Sequence, residues 1–237
     1  MEIFLQLDTW IALLTLTFLE IVLGIDNIIF ISIVAGKLPQ ERQKSARFVG
    51  LSLALIVRII MLFGITILIG LTEPVLEVYE FKLSWRDIIL VVGGLFLIAK
   101  STSEIHHKIA QDSDETKSNN KVVTSFASAI FQIVMLDIIF SFDSILTAVG
   151  LTDKIILMVI AVIISIIVMM IFAKAISNFI NNQPTLQVLA LSFLILIGFM
   201  LLIEGVHYEV PKGYIYFAVF FSLVVELINM KVRKKMN

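Results

Sequence analysis

The chain of 237 residues is 59% hydrophobic and only 16% charged, and its mean hydropathy of +1.02 is far above that of a soluble domain. Its formal net charge of −1 argues against nucleic-acid binding, and the lack of cysteine excludes disulfides, thiolate metal sites and cysteine nucleophiles. This composition indicates a polytopic membrane protein whose partner is the lipid bilayer.

Seven apolar stretches are long enough to cross a bilayer as helices, which takes about 20 residues each. They lack the alternation of barrel strands, so the predicted fold class is all-α. In chain order, the predicted spans are residues 10–35, 48–71, 85–102, 125–150, 155–180, 186–203 and 214–230.

Basic residues mark the sides of the membrane, because short cytoplasmic loops are enriched in Lys and Arg. Two clusters stand out: Lys37, Arg42, Lys44 and Arg47 after the first span, and Lys231, Arg233, Lys234 and Lys235 in the tail. Both clusters are predicted to be cytoplasmic. With seven spans, the N-terminus then lies outside and the C-terminus lies inside.

The polar segment 104–123 divides the chain and is predicted to be a cytoplasmic linker without fixed structure. Residues 1–103 form a predicted first three-helix repeat, and residues 124–210 form a second. Residues 211–237 add a seventh span with a basic tail.

A duplicated polar motif supports this division. The stretch EIVLGIDNIIF, residues 20–30, matches DIIFSFDSILTAVG, residues 137–150. The aligned pairs are Glu20 with Asp137, Asp26 with Asp143, and Asn27 with Ser144; a weaker match sets Lys100 opposite Glu204. Because three spans are an odd number, the second copy crosses the membrane in the opposite sense. The sequence predicts inverted repeats with a site near the midplane.

The duplicated acids predict a cation site. A charge within a membrane span costs roughly 2.5 to 3.5 kcal/mol on insertion scales, so several acids need compensation. Carboxylate, amide and hydroxyl oxygens suit hard ions such as Mn²⁺, Mg²⁺ and Ca²⁺ better than Zn²⁺ or copper. Helical spacing sets Asp26 and Asp143 about 120° away from Glu20 and Asp137, so a four-carboxylate site needs local unwinding, expected beside Gly24.

The two motifs resemble the signatures of the TerC family of integral membrane proteins, and the whole chain is similar to its short YgdQ-like branch. The resemblance implies a multi-pass protein of the bacterial inner membrane. It also implies a link to manganese efflux and a historical association with tellurium resistance. Since tellurite is an anion, which carboxylates repel, a tellurium phenotype is expected to be indirect. The metal-site residues carried over are Glu20, Asp26, Asn27, Asp137, Asp143 and Ser144.

Arg58 lies in the middle of the second span, where a carboxylate partner is expected. It is a candidate counter-ion for a motif acid when metal is absent, and the alternative is an unrelated ion pair. Other polar residues are weaker candidates. Lys100, Lys174 and Glu226 are expected to reach headgroups from helix ends, Glu204 is ambiguous, and the adjacent His106 and His107 are incidental.

The leading hypothesis is a transporter that exports a divalent cation, with Mn²⁺ favoured, by alternating access around a shared carboxylate site. No enzymatic activity and no organic cofactor are expected, and the sequence leaves the oligomeric state open. The alternative is a membrane scaffold that binds metal or delivers it to other membrane or exported proteins. Polar side chains that only join helices, a proton relay and an intramembrane aspartate hydrolase are further interpretations.

Overall fold

The computed structural model of the protein describes residues 6–78, 81–113, 125–208 and 210–236, and within these ranges it leaves out some side chains, including those of Asp26 and Asp143. The elements in chain order are α1 (Leu7–Gly36), α2 (Gln40–Phe63), α3 (Ile65–Gly70), β1 (Pro74–Val78), β2 (Phe81–Ser84), α4 (Trp85–Ser113), α5 (Phe126–Leu151), α6 (Ile155–Asn181), α7 (Pro184–Gly205) and α8 (Lys212–Met236).

The predicted fold class is confirmed. In the described part of the chain, seven helices are long and apolar enough to cross a membrane, namely α1, α2, α4, α5, α6, α7 and α8. Each overlaps one predicted span. The short antiparallel hairpin of β1 and β2 was not predicted; it occupies the acid-rich loop between the second and third spans.

The second span differs most from its prediction. We expected residues 48–71, but α2 begins at Gln40 and ends at Phe63, where Gly64 bonds back to the carbonyl of Ile60. Hydropathy locates only the apolar part of a helix. The preceding polar residues, which include Gln, Glu, Arg and Lys, are good helix formers and extend it by two turns.

The linker also needs correction at its start. We expected no fixed structure from Glu104 onward, yet α4 continues to Ser113. The segment has no glycine or proline to end the helix, and Lys100 forms an ion pair of 2.8 Å with Glu104 one turn later. Residues 114–123 of the predicted linker lie outside the described residues.

The chain forms two compact units that cut across the predicted halves. Unit 1 contains residues 1–84 and 122–179, and therefore α1, α2, α5 and nearly all of α6. Unit 2 contains residues 85–121 and 180–237, and therefore α4, α7 and α8. Each unit thus combines helices from the first and second copies of the predicted repeat.

Close packing in unit 1 depends on small residues. A Cβ atom on Gly24 of α1 would lie 2.5 Å from Sδ of Met169 in α6, and one on Gly50 of α2 would lie 2.9 Å from Cγ2 of Ile133 in α5. Helix α5 contacts both α1 and α2. These contacts bring the polar faces of three helices together.

In unit 2, α4 and α7 approach each other at Gly94 and Gly198. A Cβ on Gly94 would lie 2.5 Å from the carbonyl oxygen of Gly198, and a Cβ on Gly198 would lie 2.8 Å from the carbonyl oxygen of Gly94. The alignment that sets Lys100 opposite Glu204 also pairs these two glycines. The inverted relation between the halves itself stays a prediction.

Two side-chain contacts join one end of α4 to the end of α7. Arg86 Nη2 lies 2.8 Å from Glu204 Oε1, and His207 Nε2 lies 2.9 Å from Oδ2 of the buried Asp87. His207 adopts a left-handed φ of 65° just after α7, where its amide bonds to the carbonyl of Glu204. This conformation, common where helices end, turns the chain so that the ring meets Asp87.

Candidate functional site

Three charged side chains meet inside unit 1, one from each of α1, α2 and α5. Glu20, Arg58 and Asp137 are 4%, 2% and 5% exposed. Arg58 Nη1 lies 2.6 Å from Glu20 Oε2, and Arg58 Nη2 lies 2.6 Å from Asp137 Oδ1. We call these three residues the acid–arginine triad.

Asp137 accepts hydrogen bonds from residues on three helices around it. In addition to Nη2, Arg58 Nε donates to both carboxylate oxygens, at 3.2 and 3.1 Å. Asn27 Nδ2 donates to Oδ1 at 3.1 Å, and Ser141 Oγ donates to Oδ2 at 3.2 Å. Asp137 therefore has donors on several sides, and charge-assisted bonds of this kind are the stronger class of hydrogen bond.

Asn27 brings an oxygen to the triad that is not used in hydrogen bonding. Its side chain is buried, and its Oδ1 atom has no hydrogen-bond partner among the described residues. Ser144, the residue aligned with Asn27, is also buried and donates to the carbonyl of Ser141 at 3.3 Å. A buried amide oxygen without a donor is costly, and it is a suitable ligand for a hard cation.

Asp26 and Asp143 lie six residues after Glu20 and Asp137, but their side chains are outside the described part of the structure. Their backbones belong to α1 and α5, which are helical throughout. We expected local unwinding beside Gly24, and this expectation was wrong. Gly24 instead allows close contact with Met169, where a side chain would clash.

The described ligand set is small. Over the residues that the structure describes, no three histidine, aspartate or glutamate side chains come together as a metal site. The triad offers two carboxylates, already bonded to one guanidinium, with an amide oxygen and serine hydroxyls beside them. With both acids ionised its net charge is −1, which favours a cation.

Other polar candidates belong to unit 2. Lys100 pairs with Glu104 on its own helix, and Glu204 pairs with Arg86. His106 and His107 lie on α4, with ring centroids 6.3 Å apart. We expected Glu226 near a helix end, but it lies 10 residues before the end of α8 (236 − 226), and its Oε1 atom is buried without a described partner.

Sequence reasoning missed the two side-chain pairs that join α4 to α7. Arg86 and Glu204 are 118 residues apart, and Asp87 and His207 are 120 residues apart. The available signal was the charged residues at the ends of the spans that became α4 and α7. The weak sequence match between these two helices could have indicated that the charged ends lie side by side. By contrast, the position of Arg58 in mid-span was sufficient to mark it for attention.

Comparison with known proteins gives one family over nearly the whole chain. The model of the Integral membrane protein TerC family matches residues 5–237. A UPF0053 protein of Haemophilus influenzae is 48% identical over 231 residues, which cover 97% of each chain. The UPF0053 inner membrane protein YgdQ of Escherichia coli K12 is 49% identical over 230 residues, which cover 97% of this chain and 95% of YgdQ.

A longer relative matches over only part of its own length. The UPF0053 inner membrane protein YoaE of Escherichia coli K12 is 43% identical over 234 residues, which cover 99% of this chain and 45% of YoaE. No solved structure gives a significant match to the chain.

Proposed function

The chain belongs to the TerC family of integral membrane proteins, and we propose that it exports a divalent metal cation, with Mn²⁺ as the favoured ion, through the acid–arginine triad. The proposed membrane is the bacterial inner membrane, in keeping with the names of YgdQ and YoaE. The proposed role is transport, without an enzymatic step.

The observation that carries this proposal is the meeting of Glu20 and Asp137 at one arginine. These acids occupy corresponding positions in the two copies of the polar motif, and both are buried in unit 1. Ionisable residues inside membrane spans are expensive and commonly mark ion pathways. One bond between two helices would not require two acids at corresponding motif positions that share one cationic partner.

Arg58 supplies the proposed means of release. While the guanidinium bonds both carboxylates, the triad carries one negative charge; a divalent cation in place of the guanidinium would bring the two acids to neutrality. Cation and arginine therefore compete for the same oxygens. Asn27 Oδ1, which lacks a described donor, and the hydroxyls of Ser141 and Ser144 would complete an oxygen ligand set suited to Mn²⁺.

Alternating access of two inverted repeats is the proposed movement. The matched approach of Gly94 and Gly198 supports equivalent roles for α4 and α7. Asp26 and Asp143 complete the proposed set of acids, as ligands that the ion contacts along the way. The N-terminus is proposed to lie outside, with the C-terminus and the linker in the cytoplasm.

A second candidate function is a membrane scaffold in which the triad only holds α1, α2 and α5 together. The two 2.6 Å contacts favour it, because they occupy both acids with an internal partner. In this case the protein would act by binding other membrane proteins, and its acids would serve assembly.

Amide variants distinguish the two functions. Glu20→Gln and Asp137→Asn should leave cells loaded with Mn²⁺ unable to lower their manganese content, which elemental analysis measures after correction for protein in the membrane. Asp153→Asn, which alters an exposed acid between α5 and α6, is the matched control and should export normally. Normal export by both triad variants would favour the scaffold function over export through the triad.

A further inference from the structure

A small cavity adjoins the triad on the side of Glu20. It offers about 10 Å³ to the centre of a water molecule, which is about the space that one water needs. Among the described residues that line it, Glu20 alone is ionisable, and apolar side chains from α1, α2, α5 and α6 form the remainder. All four helices belong to unit 1.

The cavity lies toward one end of each helix. Leu16 comes one turn before Glu20 in α1, and Leu62 comes one turn after Arg58 in α2. Ile145 lies about two turns after Asp137 in α5, and Met158 lies in the first turn of α6. The cavity therefore lies nearer the N-terminal ends of α1 and α6 and nearer the C-terminal ends of α2 and α5. In the predicted topology, that end is the outer one.

The walls keep water away from the acid in this conformation. Leu16, Leu62, Ile145 and Met158 are each at most 2% exposed, so they close the space between Glu20 and the end of the unit. Apolar constrictions in membrane proteins block ions until they widen and fill with water. Ala148 and Ala161 line the same cavity and leave the room into which it can widen.

The two acids of the triad differ in access. Asp137 is surrounded by donors from Arg58, Asn27 and Ser141, whereas Glu20 borders the cavity. An ion that leaves the triad therefore has free space beside Glu20.

We infer that Leu16, Leu62, Ile145 and Met158 form an outer gate, a hydrophobic barrier through which a divalent cation passes from Glu20 to the outside. The inference deepens the proposed export function and rests on it. It assigns the release side to Glu20, and it assigns the opening step to the separation of four apolar side chains.

Because the chain contains no cysteine, single cysteines can report access to this cavity. Ala148→Cys and Ala161→Cys place a thiol in the cavity lining. Ala54→Cys is the control matched to Ala161→Cys, since Ala54 is as buried as Ala161, lies one turn before Arg58 in α2 and is absent from the lining. Asp153→Cys, at an exposed position between α5 and α6, reports which side of the membrane this end of the unit faces.

The probe is a membrane-impermeant, cationic methanethiosulfonate added to right-side-out vesicles, which reacts only with a thiolate in contact with water. Since minor conformations are commonly populated at roughly 0.1 to 10%, the open gate should give slow but measurable labelling. We expect the two cavity thiols to react at least roughly tenfold faster than the control thiol. Leu62→Ala, which widens the gate, should accelerate labelling of Ala148→Cys further.

Equal labelling of the cavity and control thiols would overturn the outer gate, as would faster labelling from the cytoplasmic side in inverted vesicles. Labelling of Asp153→Cys only from the cytoplasm would overturn it too, because the cavity would then face inward. Labelling does not measure transport. If the triad variants export Mn²⁺ normally while the cavity thiols label from outside, the role of the triad in export fails and the outward opening stands.

Discussion

Glu20 and Asp137 each place a carboxylate oxygen 2.6 Å from the guanidinium of Arg58, although the acids are 117 residues apart (137 − 20) and lie on different helices. Two buried carboxylates so near each other repel unless a cation lies between them. In this structure the cation is the arginine. Stability and ion binding should therefore be linked through Arg58.

Removing Arg58 should destabilise the protein and make it dependent on metal. Arg58→Gln leaves two buried acids without a counter-charge, and breaking a buried ion pair in this way costs about 3 to 5 kcal/mol. Added Mn²⁺ should restore part of this loss by taking the place of the guanidinium. Thermal unfolding in detergent, with and without Mn²⁺, measures both effects.

Arg86→Gln is the control for that experiment, because Arg86 also pairs with a glutamate but belongs to unit 2 and is not part of the triad. Its melting temperature should not respond to Mn²⁺ more than that of the unchanged protein. If Arg58→Gln shows no greater response than Arg86→Gln, the competition between metal and arginine is refuted.

The second acids of each motif should be needed for export and not for folding. Asp26→Asn and Asp143→Asn keep the side-chain shape while removing the charge that a hard cation requires. Both variants should insert and accumulate normally, yet fail to lower manganese in loaded cells. Asn27→Ala and Ser144→Ala, which remove neutral ligands only, should be milder.

If the acids act only as links between helices, the amide forms should bond about as well as the acids and export should persist. Normal efflux from both aspartate variants would thus contradict their assignment to the ion pathway.

The close approach of α4 and α7 should not tolerate a methyl group. Gly94→Ala and Gly198→Ala each place a Cβ atom within 2.8 Å of a backbone carbonyl oxygen, so the helices must separate. Overpacking of this kind costs typically about 1 to 3 kcal/mol. The measurement is the unfolding midpoint in detergent.

Gly150→Ala provides the matched helical glycine, since nothing lies within 4 Å of a Cβ atom there. It should match or slightly exceed the unchanged protein, because alanine is the better helix former. Equal midpoints for all three variants would show that the glycine contact contributes little.

The predicted orientation can be tested with reporter fusions. Fusions after Ser118 and Asn237 should both report the cytoplasm, because the basic clusters fix the direction of the spans. A fusion at Asp153, in the turn between α5 and α6, should report the outside. A cytoplasmic signal at Asp153, or an external one at either other site, would contradict the predicted span count and orientation.

The sequence was sufficient for the helices because hydropathy and helix length depend on local composition. It located α1 and α5 to within a few residues and placed Glu20 and Asp137 in equivalent positions. It did not predict that α2 begins at Gln40 or that α4 ends at Ser113, because polar helix ends resemble loops in composition. Helix boundaries there depend on backbone bonding that hydropathy does not report.

Contacts between helices were harder to predict. Arg58 could be assigned a carboxylate partner, because an isolated charge in mid-span is too costly, but only the packing of α2 beside α1 and α5 determines that it bonds two. The meeting of Asp87 with His207 depends on the turn that ends α7. The expected unwinding at Gly24 was wrong because glycine allows close packing as well as unusual backbone conformations.

The central claim, that the triad carries a divalent cation across the membrane, is tested most directly by Mn²⁺ flux in proteoliposomes of the purified protein. Vesicles loaded with Mn²⁺ should release it faster with the unchanged protein or with Asp153→Asn than with Glu20→Gln or Asp137→Asn, which should match protein-free vesicles. Release at the same rate by the unchanged protein and the two triad variants would contradict the account.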